Sequence, residues 1–238
     1  MRLDVALVER GLVRSRAQAA RLIADGQVSI DTDVVRKPST QVGPRSKLRL
    51  GTQPWVSRAA HKLIGALDES GTAVPARVLD AGASTGGFTQ VCLARGAKQV
   101  YAVDVGHGQL AAEVRADPRV RVSEGLNLKD LTLSDVGEAP VDLIVGDVSF
   151  ISLTLVLPAT LGVLAPSGQA LLLVKPQFEV GRDNLGPGGV VSDPALHRAA
   201  VERVVVVARH LGWRCDWRGI SQLPGISGNR EFFVRLAA

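Results

Sequence analysis

The sequence predicts an α/β protein: a doubly wound, mostly parallel sheet over residues 57–238, preceded by a small α+β module at 1–50 and a linker at 51–56. Three observations carry that expectation. From Arg77 onward, short apolar runs alternate with helical patterns, the signature of strands joined by crossover helices. A glycine-rich turn, Asp80-Ala81-Gly82-Ala83-Ser84-Thr85-Gly86-Gly87, follows the first of those runs. The charge also divides the chain. Residues 1–51 hold ten Lys/Arg against five acids, while the remainder holds eighteen of each sign. The whole net charge of +5 therefore sits in the first fifth, as in a polyanion-binding module joined to a neutral domain.

Within the module, Leu3, Leu7 and Val8 give residues 3–10 one apolar helical face, and Gly11 stops it. Ser15 opens a second helix, with Gln18 three residues on as a capping box. Ala17, Ala20, Leu22 and Ile23 are its expected buried side, and Gly26 ends it. Val28-Ser29-Ile30 and Val34-Val35 read as a hairpin across Asp31-Thr32-Asp33, and Lys47-Leu48-Arg49-Leu50 closes the unit. Arg2-Leu3-Asp4, Gly11 to Arg16, Ala20-Arg21-Leu22-Ile23, Gly26-Gln27-Val28 and Lys37-Pro38 together resemble the S4 family of small RNA-binding domains. The resemblance implies that Arg2, Arg10, Arg14, Arg16 and Lys37 contact RNA, through phosphates more than bases.

Beyond the linker, Ser57 is the expected cap of a helix to Ser70, striped by Ala60, Leu63, Ile64 and Leu67. Expected strands follow at 77–80, 99–103, 120–123, 142–146, 169–174, 213–219 and 231–236, with helices at 87–95, 109–116, 153–164 and 194–211. The last two strands lack a helix between them, so antiparallel pairing is expected there. Residues 148–174 carry no formal charge, but Pro158 and the turn Pro166-Ser167-Gly168-Gln169 break the run. That favours a buried helix and strand over a membrane span. The glycine-bearing loop 181–192 reads as a lid or a plain connection. Cys92 and Cys215 lie in apolar stretches and fit a reducing, cytoplasmic setting. The charged amino terminus does not read as a signal peptide.

The glycine turn after a strand lets backbone N–H groups approach a ligand at a helix start. Asp104 ends the next strand 24 residues after Asp80, where a carboxylate can accept both hydroxyls of an adenosine ribose. The Gly-x-Gly-x-x-Gly spacing of dinucleotide sites is absent, so S-adenosylmethionine is expected ahead of a nicotinamide cofactor. Candidate cofactor contacts are Asp80, Gly82, Ser84, Gly86, Gly87, Asp104, Asn127 in the loop that would border adenine, and Asp147. Asp147 and Lys175 end apolar strands and Glu231 opens one, which places three charges at a ligand crevice. Asp147-Val148-Ser149-Phe150 is not the proline-rich motif of amine methyltransferases, and neither cysteine has the context of a nucleophile.

With Lys62, these residues resemble the Lys-Asp-Lys-Glu tetrad of FtsJ-like ribose 2′-O-methyltransferases. The flanking runs Ser57 to Leu63, Asp147 to Ser152 and Val174 to Glu179, with the domain order, resemble the TlyA (hemolysin-A-like) family of rRNA cytidine-2′-O-methyltransferases across the whole chain. The resemblance implies that Lys62, Asp147, Lys175 and Glu231 are catalytic and that the partner is ribosomal RNA within ribosomal subunits. Lys175 would take the hydroxyl proton as a neutral amine favoured by Lys62 beside it, Asp147 would orient the amine, and Glu231 would hold the lysines in register. No metal, no membrane and a monomer are expected. The family linker reads Arg-x-Trp-Val where this chain has Gln53-Pro54-Trp55-Val56. A pseudouridine synthase is the competing enzyme, since Arg2-Leu3-Asp4 matches its catalytic triplet but lies inside the small module. A pore-forming cytolysin and an inactive assembly factor are the alternatives from other classes.

Overall fold

A computed structural model describes residues 1–24, 26–51 and 55–238. The linker substitution at Gln53 lies outside the described residues. The chain divides into two compact units, Met1–Ser57 and Arg58–Ala238.

In the first unit, α1 (Leu3–Glu9) and α2 (Arg16–Ala24) accompany a small antiparallel sheet of β1 (Val28–Ile30), β2 (Asp33–Val34) and β3 (Leu48–Leu50), ordered β2-β1-β3. Leu3, Ala6, Leu7, Val13, Ala19, Ile23, Val28 and Val42 form its core. The buried face of α2 is carried by Ala19 and Ile23, one turn apart, whereas Ala17 is exposed. The face therefore lies two residues on from its expected start. The cap differs as well. Ser15 Oγ accepts from Gln18 N at 3.2 Å, but Gln18 Oε1 accepts from Arg14 N at 2.9 Å, one residue outside a regular box.

The second unit is a seven-stranded sheet. Its strands are β4 (Arg77–Ala81), β5 (Gln99–Asp104), β6 (Val120–Glu124), β7 (Val141–Gly146), β8 (Leu164–Val174), β9 (Arg214–Ile220) and β10 (Phe232–Ala237). Their order is β6-β5-β4-β7-β8-β10-β9. The first five pair in parallel, and β10 inserts antiparallel between β8 and β9. The order reverses between β4 and β7, so ligands are expected at the carboxyl ends of those strands. Helices α3 (Ala59–Ser70), α4 (Gly87–Ala94), α5 (Ala112–Arg115), α6 (Leu153–Gly162), α7 (Pro176–Glu179) and α8 (Pro194–His210) complete the unit. Leu79, Ile144, Leu157, Ala170, Leu172, Val204 and Val234 are among the fully packed core residues. Strands buried on both faces read as continuous apolar runs, which is why 142–146 and 170–174 are recognisable in the sequence.

Four local expectations change. Helix α3 starts at Ala59 with Arg58 as its N-cap in helical conformation, and no side chain caps it, so Ser57 does not have that role. Helix α5 is one turn, because Gln109 and Leu110 belong to the loop at the glycine turn. The expected turn at 166–169 is a bulge within β8: Val141 pairs with Leu164 and Leu143 with Gln169, leaving 165–168 opposite Asp142 alone. The segment between β8 and the 181–192 loop forms α7, and that loop is fastened near its end. Asn229 Oδ1 accepts from Val191 N at 2.9 Å and its amide donates to Gly189 O at 3.0 Å, while His197 Nε2 meets Val191 O at 2.7 Å. Among the described residues no helix is long and apolar enough to cross a membrane.

Candidate active site

The glycine turn leaves β4 and enters α4. Gly82 has φ +85, and a Cβ there would lie 3.3 Å from Asp147 O, so the close approach of the β4 and β7 ends requires glycine. Gly86, with φ +94, would place a Cβ 2.8 Å from Leu110. Gly87 is the first residue of α4 and is buried. Ser84 itself sits at φ 47. Its N–H donates to Asp104 Oδ2 at 2.8 Å, and Gly106 N donates to Oδ1 at 2.7 Å. Asp104 therefore latches the turns after β4 and β5 together and keeps lone pairs free for further donors. A small open cleft lies beside it, lined by Ala83, Ser84, Ala102, Asp104, Gln109 and Leu110 among others. This glycine cradle with a half-buried carboxylate at its mouth fits an adenosyl cofactor.

Asp80 and Asn127 have structural tasks that the sequence did not reveal. Asp80 is wholly buried; Thr89 Oγ1 donates to its Oδ2 at 2.6 Å, and Oδ1 has no hydrogen-bond partner among the described residues. Burial pushes its carboxyl up to about 7, against the lowering effect of the Thr89 bonds. Asp80 thus braces the turn against α4 from within. Asn127 caps the 3₁₀ turn Leu128–Asp130, accepting from Lys129 N at 3.1 Å, which leaves its amide N–H groups uncommitted by that bond.

The four tetrad residues are brought together by the sheet. Asp147 follows β7 and its N–H donates to Ala81 O at 3.2 Å, which keeps it beside the glycine turn. Lys175 follows β8. Phe232 pairs with Val174, so Glu231, one residue before β10, stands in register opposite Lys175. Lys62 lies on α3 and is buried. The four form two ion pairs. Lys62 Nζ is 2.5 Å from Glu231 Oε2, with both side chains nearly sealed from solvent. Lys175 Nζ is 2.6 Å from Asp147 Oδ1, with 10% and 17% of the side chains exposed. The charge of Lys62 is thus answered by Glu231. Lys175 makes its aligned hydrogen bond to Ser149 Oγ at 2.6 Å, while Asp147 Oδ1 lies off the bond direction. The Lys175 amine also stands 5.9 Å from the centre of the Phe178 ring, on which Phe150 tilts at 5.4 Å.

Further residues beside the tetrad went unassigned in the sequence. Ser149 and Glu179 lie inside recognisable motifs, but nothing in a linear pattern says that one meets Lys175 or that the other is buried. Glu179 accepts from Ser152 Oγ at 2.6 Å and from Leu153 N at 2.8 Å, tying the segment after Lys175 to the segment after Asp147. Burial pushes its carboxyl up, opposed by those two bonds. Phe150 is exposed at φ 65, a conformation that is costly for a bulky residue.

In the small unit, the candidate RNA contacts fall into two groups. Arg2 forks onto the buried Asp4 at 3.0 and 3.1 Å, and Arg16 adds a bond at 2.9 Å. These bonds from Arg2 and then Arg16 hold the Asp4 carboxyl well below the usual range. Arg10 donates to Ser46 O and Gly43 O. Arg14 and Lys37 are exposed.

A parallel sheet reversing beside a glycine cradle, with lysine–carboxylate pairs at its strand ends, can hold a cofactor beside a proton acceptor, as group transfer requires. The comparisons narrow this. The FtsJ-like methyltransferase family matches residues 55–238, and the S4 domain family matches residues 1–47. The 16S/23S rRNA (cytidine-2′-O)-methyltransferase TlyA of Mycobacterium tuberculosis is 52% identical over 99% of this chain and 89% of its own length. Hemolysin A of Brachyspira hyodysenteriae is 36% identical over 98% of each chain. A solved structure from Streptococcus thermophilus, provisionally named a hemolysin, is 38% identical with a TM-score of 0.78, covering 99% of this chain and 87% of its own. The chain belongs to the FtsJ-like methyltransferases, in the TlyA branch that carries an S4 domain at its amino terminus.

Proposed function

We propose that the protein transfers a methyl group from S-adenosylmethionine to the ribose 2′-hydroxyl of a cytidine in ribosomal RNA. The observation that carries this reading is the pair of lysine–carboxylate contacts at the ends of β7, β8 and β10, in a chain 52% identical to an enzyme named for that reaction. S-adenosylmethionine supplies a methyl group already activated on a sulfonium, so the protein's work is binding, positioning and removal of one proton. Asp104 would accept the adenosine hydroxyls, the amides of the 82–87 turn would approach the amino-acid end, and Asn127 would border the base. Lys175 takes the 2′-hydroxyl proton as a neutral amine, Asp147 orients that amine, and the Lys62–Glu231 pair fixes α3 against the strand end that carries them. The S4 unit binds the RNA by its basic face, with Arg2 and Arg16 set by Asp4, so affinity falls steeply with salt. Working on ribosomal subunits places the reaction in the cytoplasm.

Incubating the full chain with methyl-labelled cofactor and isolated ribosomal subunits tests the reading. Label is expected in rRNA, on the 2′-oxygen of a cytidine in the small subunit, the large subunit or both. Label on a base, or none in either subunit, overturns it.

A further inference from the structure

Lys175 must present a lone pair, and not an N–H, to the hydroxyl it deprotonates. A neutral lysine amine has two N–H groups and one lone pair. The structure gives two acceptors 2.6 Å from Nζ: Ser149 Oγ, which receives the aligned hydrogen bond, and Asp147 Oδ1, which lies off-axis as an ion-pair partner. We propose that Ser149 is a positioning residue of the reaction: by taking one N–H of Lys175, with the Asp147 carboxylate attracting the amine from the side, it favours the rotamer in which the lone pair faces the ribose. This rests on the proposed ribose methylation.

The segment that carries Ser149 is built to hold such a geometry. Phe150 turns the chain directly after it at φ 65, a strained conformation for a bulky side chain of the kind that persists where the surroundings over-determine it. Two residues further on, Ser152 and Leu153 are both bonded to the buried Glu179. Glu179 lies four residues after Lys175, so one carboxylate ties the segment of Ser149 to the segment of its partner. The reaction balances with these groups. The ribose O–H breaks as its proton forms a third N–H on Lys175. The oxygen pair forms the O–CH3 bond as the S–CH3 bond breaks with its electrons leaving to sulfur. Ser149 keeps its hydrogen bond and Asp147 its ion pair to the resulting ammonium, which then returns one proton to water.

Ser149→Thr and Ser149→Val have nearly the same shape and differ in the hydroxyl, so comparing them isolates the hydrogen bond from packing. In single-turnover methylation of ribosomal subunits at saturating cofactor, Ser149→Thr is expected to stay near the wild-type rate. Ser149→Val is expected to be about tenfold slower, the worth of one hydrogen bond to a charged or charging group. Cofactor affinity and the KM for subunits should match in the two. Equal rates for Thr and Val, or a difference confined to KM, overturn the proposal while wild-type activity leaves the broader reading intact. A wild type that forms no methylated ribose removes that reading and this inference with it.

Discussion

The two ion pairs of the tetrad share their chemistry and differ in access. Lys62–Glu231 is the more deeply buried: Glu231 Oε1 would lie 2.6 Å from a Cβ placed on Gly225, and Ser221 N donates to Glu231 O at 2.9 Å. Lys175–Asp147 opens toward the crevice at the β4–β7 reversal, with the exposed Ser149 beside it. On the proposed reaction the more accessible pair is the one that meets the substrate, so Lys175 would take the proton and Lys62 would support it, although both belong to the same family motif.

The largest effect that could break this comparison is on turnover. Lys175→Ala should lower single-turnover methylation by roughly a hundredfold to ten-thousandfold, the usual worth of a general base. Cofactor affinity by calorimetry should hardly change, and the loss of stability should be smaller than for the more deeply buried Lys62–Glu231 pair. A variant that keeps more than a tenth of the activity would remove Lys175 from its role.

The supporting pair should show the opposite profile. Lys62→Met leaves the Glu231 carboxylate buried without its counter-charge and is expected to cost about 3–5 kcal/mol in denaturant unfolding. Lys62→Met combined with Glu231→Leu should recover most of that loss, because neither charge is then stranded. If Lys62→Met and Lys175→Ala destabilise equally, the contrast between sealed and open pairs fails.

An effect of comparable size sharpens the contrast with a third buried carboxylate. Asp80 has no cation partner among the described residues, and burial has pushed it up to about 7. Its unfolded counterpart titrates near 4. Between those values the folded protein holds a proton that the unfolded chain has released. The stabilisation is therefore full below about pH 4 and is lost as pH rises through about 7, with a slope of about 1.4 kcal/mol for each pH step of one between them. Asp80→Asn keeps an acceptor for Thr89 and should flatten that part of the stability–pH curve. An unchanged slope between pH 4 and 7 would mean that Asp80 does not titrate there.

Much of the site was legible because its residues stand at element ends. Asp147 and Lys175 close apolar runs, Glu231 opens one, and the glycines of 82–87 punctuate a strand–helix turn; each is a local signal. Lys62 was not legible from its own surroundings. On α3 it reads as a surface charge next to an apolar stripe, and only its likeness to a family motif marked it. Ser149, Glu179 and Asn229 gave no local sign of a role, because their partners are 26, 26 and 38 residues away.

The sequence by itself determined the alternation of elements and the basic amino-terminal module, since these follow from hydrophobic period and charge count, and its likeness to a family motif singled out the four tetrad residues. The tertiary structure decided how the tetrad divides. Insertion of β10 between β8 and β9 sets Glu231 opposite Lys175, yet the packing of α3 delivers Lys62 to that carboxylate and leaves Lys175 to Asp147 and Ser149. Ion pairing at 2.5–2.6 Å depends on which side chains share a buried space, and that is fixed by packing between elements that lie far apart in the chain.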